Sequence, residues 1–191
     1  MTSDYQRRID QAFERFNRRH FLPTKYRDQA DADQALPIGY EQSNSQPRTV
    51  RDMLGWLEVE AGNKVLDIGS GSGWTTALLS FLVGDRGRVV AVERIPELVD
   101  FGRRNCQQFD ITNVEFHQAI SGEIGWPEAG PYQRILVSAA AGSLPEELPE
   151  QLAVKGKLVI PIRQAIHELT KISAEDIKDA THHGYMFVPL L

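Results

Sequence analysis

The chain has 191 residues, 41% hydrophobic and 25% charged, with a formal net charge of −5. That length predicts one domain burying roughly 70% of its unfolded surface, and the acidic balance argues against a protein whose main work is neutralising nucleic-acid phosphates. A single cysteine, Cys106, excludes an internal disulfide and suits a reducing compartment. With no apolar run of signal-peptide or membrane-spanning length, the expectation is a cytoplasmic protein without a membrane or nucleic-acid partner.

Ile9, Ala12, Phe13 and Phe16 recur at helical spacing, so residues 4–19 predict an amphipathic helix lying against the rest of the molecule. Pro23 marks its end, because the residue before a proline disfavours helical backbone. Residues 27–47 read as irregular. Val50, Met53, Leu54 and Leu57 predict a second helix over 49–57.

From residue 64 short apolar runs alternate with helical stretches. Strands are expected at 64–68, 88–92, 114–118, 134–138 and 157–162. Helices are expected at 75–82 and 97–109, with a short one closing at 151–152. Strands separated in this way imply a parallel sheet covered on both faces. Residues 165–172 and 185–190 have no apolar helix between them and predict a terminal antiparallel pair. The fold class is α/β: a Rossmann-like doubly wound, mostly parallel sheet in one domain. An N-terminal cap and loop (1–47), a cofactor-binding core (48–163) and a C-terminal strand pair (164–191) compose it.

The chemistry begins at "VLDIGSGSGW", residues 65–74. Gly69, Gly71 and Gly73 give the sharp turn and bare main chain against which a ligand lies. Free N–H groups at the following helix start make the place slightly positive. A tight strand-to-helix turn uses the same residues, but two details favour a ligand. Trp74 stands where a G-x-G-x-x-G dinucleotide fingerprint needs its third glycine. Asp67 precedes the loop, and Glu93 ends the next strand twenty residues after Gly73, placed to accept from both ribose hydroxyls of a nucleoside. Acids on both sides of the loop suit a phosphate-free cofactor with a cationic centre. S-adenosyl-L-methionine, a sulfonium, fits better than NAD.

The strings "LPIGYEQSNSQP", "VLDIGSGSGWTTALL", "VERI", "GPYQRILVSAAA", "LPEQLAVKGKLVIPI" and "FVPLL", with "RRHFLP" upstream, run through almost the whole chain. In this order they resemble the protein-L-isoaspartate O-methyltransferases, which methylate the abnormal carboxylate formed when Asp or Asn isomerises. The resemblance implies that Ser45 is the catalytic serine. Around S-adenosyl-L-methionine it implies Ser43, Asp67, Gly69, Ser70, Gly71 and Ser72, with Gly73, Glu93, Arg94, Ser121 and Gly122. Gln42, Asn44, Val188 and Pro189 would meet the acceptor, an isoaspartyl-containing protein or peptide, and no metal is implied. A monomer is expected. Such a transfer needs no strong base, because the acceptor carboxylate is ionised at neutral pH. It needs alignment and partial exclusion of water, which a serine hydroxyl and main-chain N–H groups can supply.

The chain departs from the family pattern at three places. Glu41 replaces a glycine, Ser121 an aspartate near the adenine, and Gln133 the aspartate of a "PYD" motif. These leave open a methyltransferase redirected to another carboxylate, and a noncatalytic module that binds S-adenosyl-L-methionine. Elsewhere the plain readings hold the field: Cys106 a buried thiol, His117 a structural strand residue and Trp126–Pro127 a turn wedge. His182 and His183 read as a solvated turn, and Glu146, Glu147 and Glu150 as a solvated helix face.

Overall fold

Ile9, Ala12 and Phe16 are all buried, as their helical spacing requires. In the computed structural model, which describes residues 3–190, helix α1 (Ser3–Arg15) carries the first two. The helix ends before residue 19 because Asn17 competes for the backbone. Its side chain accepts from the Arg19 N–H at 2.9 Å and caps a 3-10 turn, Arg18–Phe21.

The stretch expected to be irregular contains a hairpin. Strand β1 (Leu36–Gly39) pairs antiparallel with β2 (Gln42–Asn44), Leu36 opposite Asn44. Tyr40 and Glu41 turn the corner with φ of 54° and 58°, the left-handed pair that matches strand twist. No Asn-Gly or Gly-Gly dipeptide announces this turn, so pattern reading passes over it. Helix α2 (Pro47–Leu57) then starts on a proline, whose missing N–H has no helical partner there in any case.

The main sheet has seven strands. They are β3 (Lys64–Ile68), β4 (Arg88–Glu93), β5 (Val114–Gln118), β6 (Tyr132–Val137), β7 (Leu152–Ile162), β8 (Ala165–Lys171) and β9 (Ile177–His183). Their order is 5-4-3-6-7-8-9, parallel from β5 to β7 and antiparallel across the last two pairings. Helices α3 (Trp74–Val83), α4 (Pro96–Gln107) and α5 (Glu147–Gln151) form the connections. β3 and β4 are buried almost end to end, as their unbroken apolar runs predict. One core, with Phe16, Leu54, Leu78 and Val89, joins α1, α2 and α3 to the sheet. A second, with Leu66, Val90, Ile135 and Leu148, lies on the other face.

A terminal antiparallel pair is present, but its second strand is β9 rather than residues 185–190. "IKDATHH" offers no apolar face, so no strand period shows. His182 therefore sits in a strand instead of a solvated turn. Its ring stacks on Trp56 with centroids 3.8 Å apart, and nearby the Tyr185 hydroxyl donates to Asp52 Oδ2 at 3.1 Å. Residues 188–190 instead bracket Ala140, whose N–H donates to Val188 O and whose carbonyl accepts from Leu190 N–H, both at 2.8 Å. Leu191, the last letter of "FVPLL", lies outside the described residues. Cys106 is buried, and His117 stacks on Trp126 at 4.2 Å.

Candidate active site

Strand order reverses between β3 and β6: the chain leaves β3 towards β4 and β5, then returns on the other side. In open α/β sheets, ligands bind outside the strand carboxyl ends at such a reversal. A cavity of about 390 Å³ lies there, a size suited to a small molecule.

One wall is the loop after β3. Gly69, Gly71 and Gly73 all have positive φ, and at Gly73 nothing larger fits: a Cβ would lie 2.8 Å from the Gly102 carbonyl oxygen of α4. Glu93 closes the loop from the neighbouring strand. Its Oε2 accepts from the Gly71 N–H and its Oε1 from the Ile95 N–H, both at 3.0 Å. An ionised carboxylate accepts about four hydrogen bonds, so each oxygen keeps a lone pair for a vicinal diol in the cavity.

The opposite wall is the hairpin. Side chains alternate along a strand, so Asn44, the last residue of β2, turns inward while Ser43 faces the open side, with Ser45 just past the strand end. The Asn44 side chain is buried, and its Nδ2 donates to Ser72 Oγ at 2.9 Å. Ser43 and Ser45 line the cavity and also an adjoining groove formed with Arg48, Asp52, Tyr185 and Met186. Ser138 and Val188 belong to both spaces as well.

The structure brings most of the sequence-derived residues together. Gly69, Ser70, Gly71, Ser72, Glu93 and Arg94 line one side, Gln42, Ser43, Asn44 and Ser45 the other, and Val188 and Pro189 the tail side. Asp67 and Gly73 stand behind the loop instead. Asp67 is fully buried, with Oδ2 accepting from Thr76 Oγ1 at 2.6 Å. Burial pushes its carboxyl up to about 7; the Thr76 bond opposes this and the Glu93 charge adds to it. Asp67 Oδ1 and Ser70 Oγ are buried with no hydrogen-bond partner among the described residues.

Ser121 and Gly122 are not on the cavity wall. Ser121 is exposed, and Gly122 lines an adjoining depression with Pro127 and Glu150. The carboxylate at that end is Glu123, beside Ala119 and Ile124. Sequence reasoning also missed Ile38, Ser138 and Ala139. The small-residue run at 138–142 directly after a strand was the signal for Ser138 and Ala139, but its meaning depends on strand order. Glu147, expected on a solvated face, reaches the cavity rim while remaining exposed.

Two departures from the family pattern lie away from the reacting space. Glu41 is exposed at the hairpin tip and lines no part of the cavity. Gln133 sits at the amino end of the sheet, where its Oε1 accepts from the Lys64 N–H at 2.8 Å.

Among the described residues, Glu93, Glu123 and Glu147 share the wall with Arg94 as its one basic side chain. That charge set, the free acceptors of Glu93 and the unpartnered Ser70 hydroxyl fit a nucleoside bearing a cation rather than a phosphate. No group of three or more His, Cys, Asp or Glu among the described residues could hold a metal ion. No helix among them is long and apolar enough to cross a membrane.

A sheet of this order, with the glycine loop after its central strand and an acid ending the next, defines a Rossmann-like methyltransferase fold. The family model for protein-L-isoaspartate(D-aspartate) O-methyltransferase matches residues 3–191, and the chain belongs to that family. It is 41% identical over 189 residues to a protein-L-isoaspartate O-methyltransferase of Aeropyrum pernix, covering 97% of this chain and 73% of that one. A relative of the same name from Methanothrix thermoacetophila is 40% identical, covering 96% and 88%. A Plasmodium falciparum crystal structure described as a protein-L-isoaspartate O-methyltransferase, in complex with S-adenosyl-L-homocysteine, superposes with a TM-score of 0.83 at 25% identity, covering 96% and 90%.

Proposed function

We propose that this chain transfers the methyl group of S-adenosyl-L-methionine to the free carboxylate of L-isoaspartyl residues in damaged proteins or peptides. The observation that carries the reading is the facing of two walls across one cavity: Glu93 with the glycine loop on one side, Ser43 and Ser45 on the other. Family membership supports the same acceptor.

Bound there, the cofactor supplies an electrophilic methyl group on a sulfonium. Glu93 accepts from the ribose hydroxyls while Gly71 and Ile95 hold its carboxylate in place. Glu123 closes the far end of the pocket in the role that sequence reasoning gave to Ser121. The Ser45 hydroxyl donates to one acceptor oxygen and leaves the other free to attack in line, with Ser43 beside it. A neutral donor suits this task, since a nearby cation would blunt the nucleophile. The acceptor chain passes from the outer groove, along Val188, to Gln42 and Pro189 on the cavity wall. The ester then closes to a succinimide as the following amide nitrogen attacks its carbonyl and methanol leaves, a step that uses no protein group. The chain is read as a cytoplasmic monomer acting on polypeptides and not on nucleic acid.

The test is incubation with labelled S-adenosyl-L-methionine and an isoaspartyl peptide beside its aspartyl twin. Base-labile label on the isoaspartyl form alone is expected. Label on neither, with calorimetric binding of S-adenosyl-L-homocysteine intact, overturns the acceptor assignment.

A further inference from the structure

The two walls of the cavity are tied together by hydrogen bonds that run from Arg18 through Asn44 to Ser72. Arg18, in the 3-10 turn after α1, is only 4% exposed. Its Nε donates to Asn44 Oδ1 at 2.6 Å and its Nη2 to the Asn44 carbonyl at 2.9 Å. Nη2 also donates to Gln34 O at 2.8 Å, and Nη1 to Ala32 O at 3.1 Å. Four of its five N–H donors are thus used, every one on a neutral carbonyl. The guanidinium carbon also lies 5.6 Å from the Trp74 ring centroid, and the Trp74 indole N–H donates to Phe16 O at 2.9 Å.

A buried cation without a carboxylate beside it is costly unless its hydrogen bonds are well made. Burial pulls Arg18 down to about 10, with Asp33 acting against that shift. What this arrangement secures is Asn44, gripped through its main chain and its side chain at once. Arginine has only donors, so the Asn44 amide must turn its oxygen to Arg18 and its nitrogen to Ser72. Ser72 is held from its other side, its carbonyl accepting from Asn105 Nδ2 of α4 at 2.9 Å. Ser43 and Ser45 flank Asn44 directly. Any movement of Ser72 is therefore delivered to the residue between the two hydroxyls.

We infer that Arg18 is a positioning residue: its grip on Asn44, continued from Asn44 to Ser72, makes acceptor affinity depend on whether the glycine loop is filled. The inference rests on the function proposed above. Filling the loop fixes Ser72, Ser72 fixes Asn44, and the two serines on either side are then aligned for the carboxylate. By reciprocity the acceptor must tighten cofactor binding by the same factor.

The experiment is calorimetric titration with an isoaspartyl peptide, with and without saturating S-adenosyl-L-homocysteine, on the wild type and on Asn44→Ala, Ser72→Ala and Arg18→Lys. The wild type should bind the peptide about tenfold tighter when the loop is filled, and Asn44→Ala and Ser72→Ala should bring that ratio to within about twofold of one. Lysine keeps the charge but cannot grip both Asn44 carbonyls, so Arg18→Lys should also lower the ratio. A purely structural role would shift thermal midpoints and leave the ratio at its wild-type value, which overturns the inference. Ser72→Ala leaves the hairpin untouched and answers the question if Asn44→Ala does not fold. A wild type that methylates the peptide with a ratio of one overturns the tie alone. A wild type that binds S-adenosyl-L-homocysteine but neither binds nor methylates the peptide overturns the proposed function together with the tie.

Discussion

The Gly71 N–H donates to Oε2 of Glu93 at 3.0 Å, so the acid at the end of β4 fastens the turn that follows β3. One side chain thus shapes the loop and, in the function proposed, offers its remaining lone pairs to the ligand. Glu93→Ala should weaken S-adenosyl-L-homocysteine binding by about 10- to 100-fold, the range for hydrogen bonds to a charged group. Calorimetry decides it; affinity within about twofold of wild type would remove Glu93 from the binding role.

Ser45 should act on the other substrate. Ser45→Ala is expected to lower kcat/KM for an isoaspartyl peptide by about 10- to 100-fold and to leave cofactor affinity within about threefold. Steady-state kinetics beside calorimetry separate the two effects, and unchanged turnover would end the assignment.

Glu41 should be dispensable. It lies exposed at the hairpin tip with φ 58°, a conformation glycine adopts without strain. Glu41→Gly is expected to leave kcat/KM within about twofold and to raise stability by up to about 1 kcal/mol. A large rise in activity would mean that its carboxylate repels the acceptor after all.

Asp67 gives the fold a pH dependence of defined sign. Burial raises its carboxyl from 3.8 to about 7 in the folded protein. Between those limits the folded chain keeps a proton that the unfolded chain has released, so stability from this group falls as pH rises and levels off above about 7. The fall is on the order of a few kcal/mol. Asp67→Asn should remove it, so urea unfolding of variant and wild type should diverge between pH 4 and pH 7. Parallel curves would contradict it.

Gly73→Ala should be severe. Its Cβ would fall 2.8 Å from the Gly102 oxygen and 2.9 Å from the Gly102 Cα, both backbone, at φ 81°. A loss of roughly 2 kcal/mol or more is expected in chemical denaturation. Near-native stability would show that α4 yields.

What the sequence disclosed was whatever one segment settles by itself. Val65 to Ile68, the three glycines and the distance to Glu93 need only local pattern. The β1–β2 hairpin was hidden because Tyr40 and Glu41 hold a left-handed turn without the usual residues. Strand β9 was hidden because its partner β8 and the Trp56 ring, not its own apolar face, keep it in place. Ser138 and Glu123 join the cavity through strand order and loop path, which no window of residues encodes. Ser121 was misplaced for the same reason: counting letters back from Trp126 gives a position in the chain and no direction in space.

Gln133 and Glu93 lie at opposite ends of the same parallel strands, one meeting Lys64 where β3 begins, the other meeting Gly71 where it has ended. An aspartate replaced by the longer glutamine at position 133 is therefore expected to alter a strand-start bond and to leave turnover unchanged. Mutational tolerance should be polarised along the strands. Substitutions at their amino ends would be read out in melting curves, those at their carboxyl ends in turnover, and a library sorted on either trait should recover one end of the sheet and not the other.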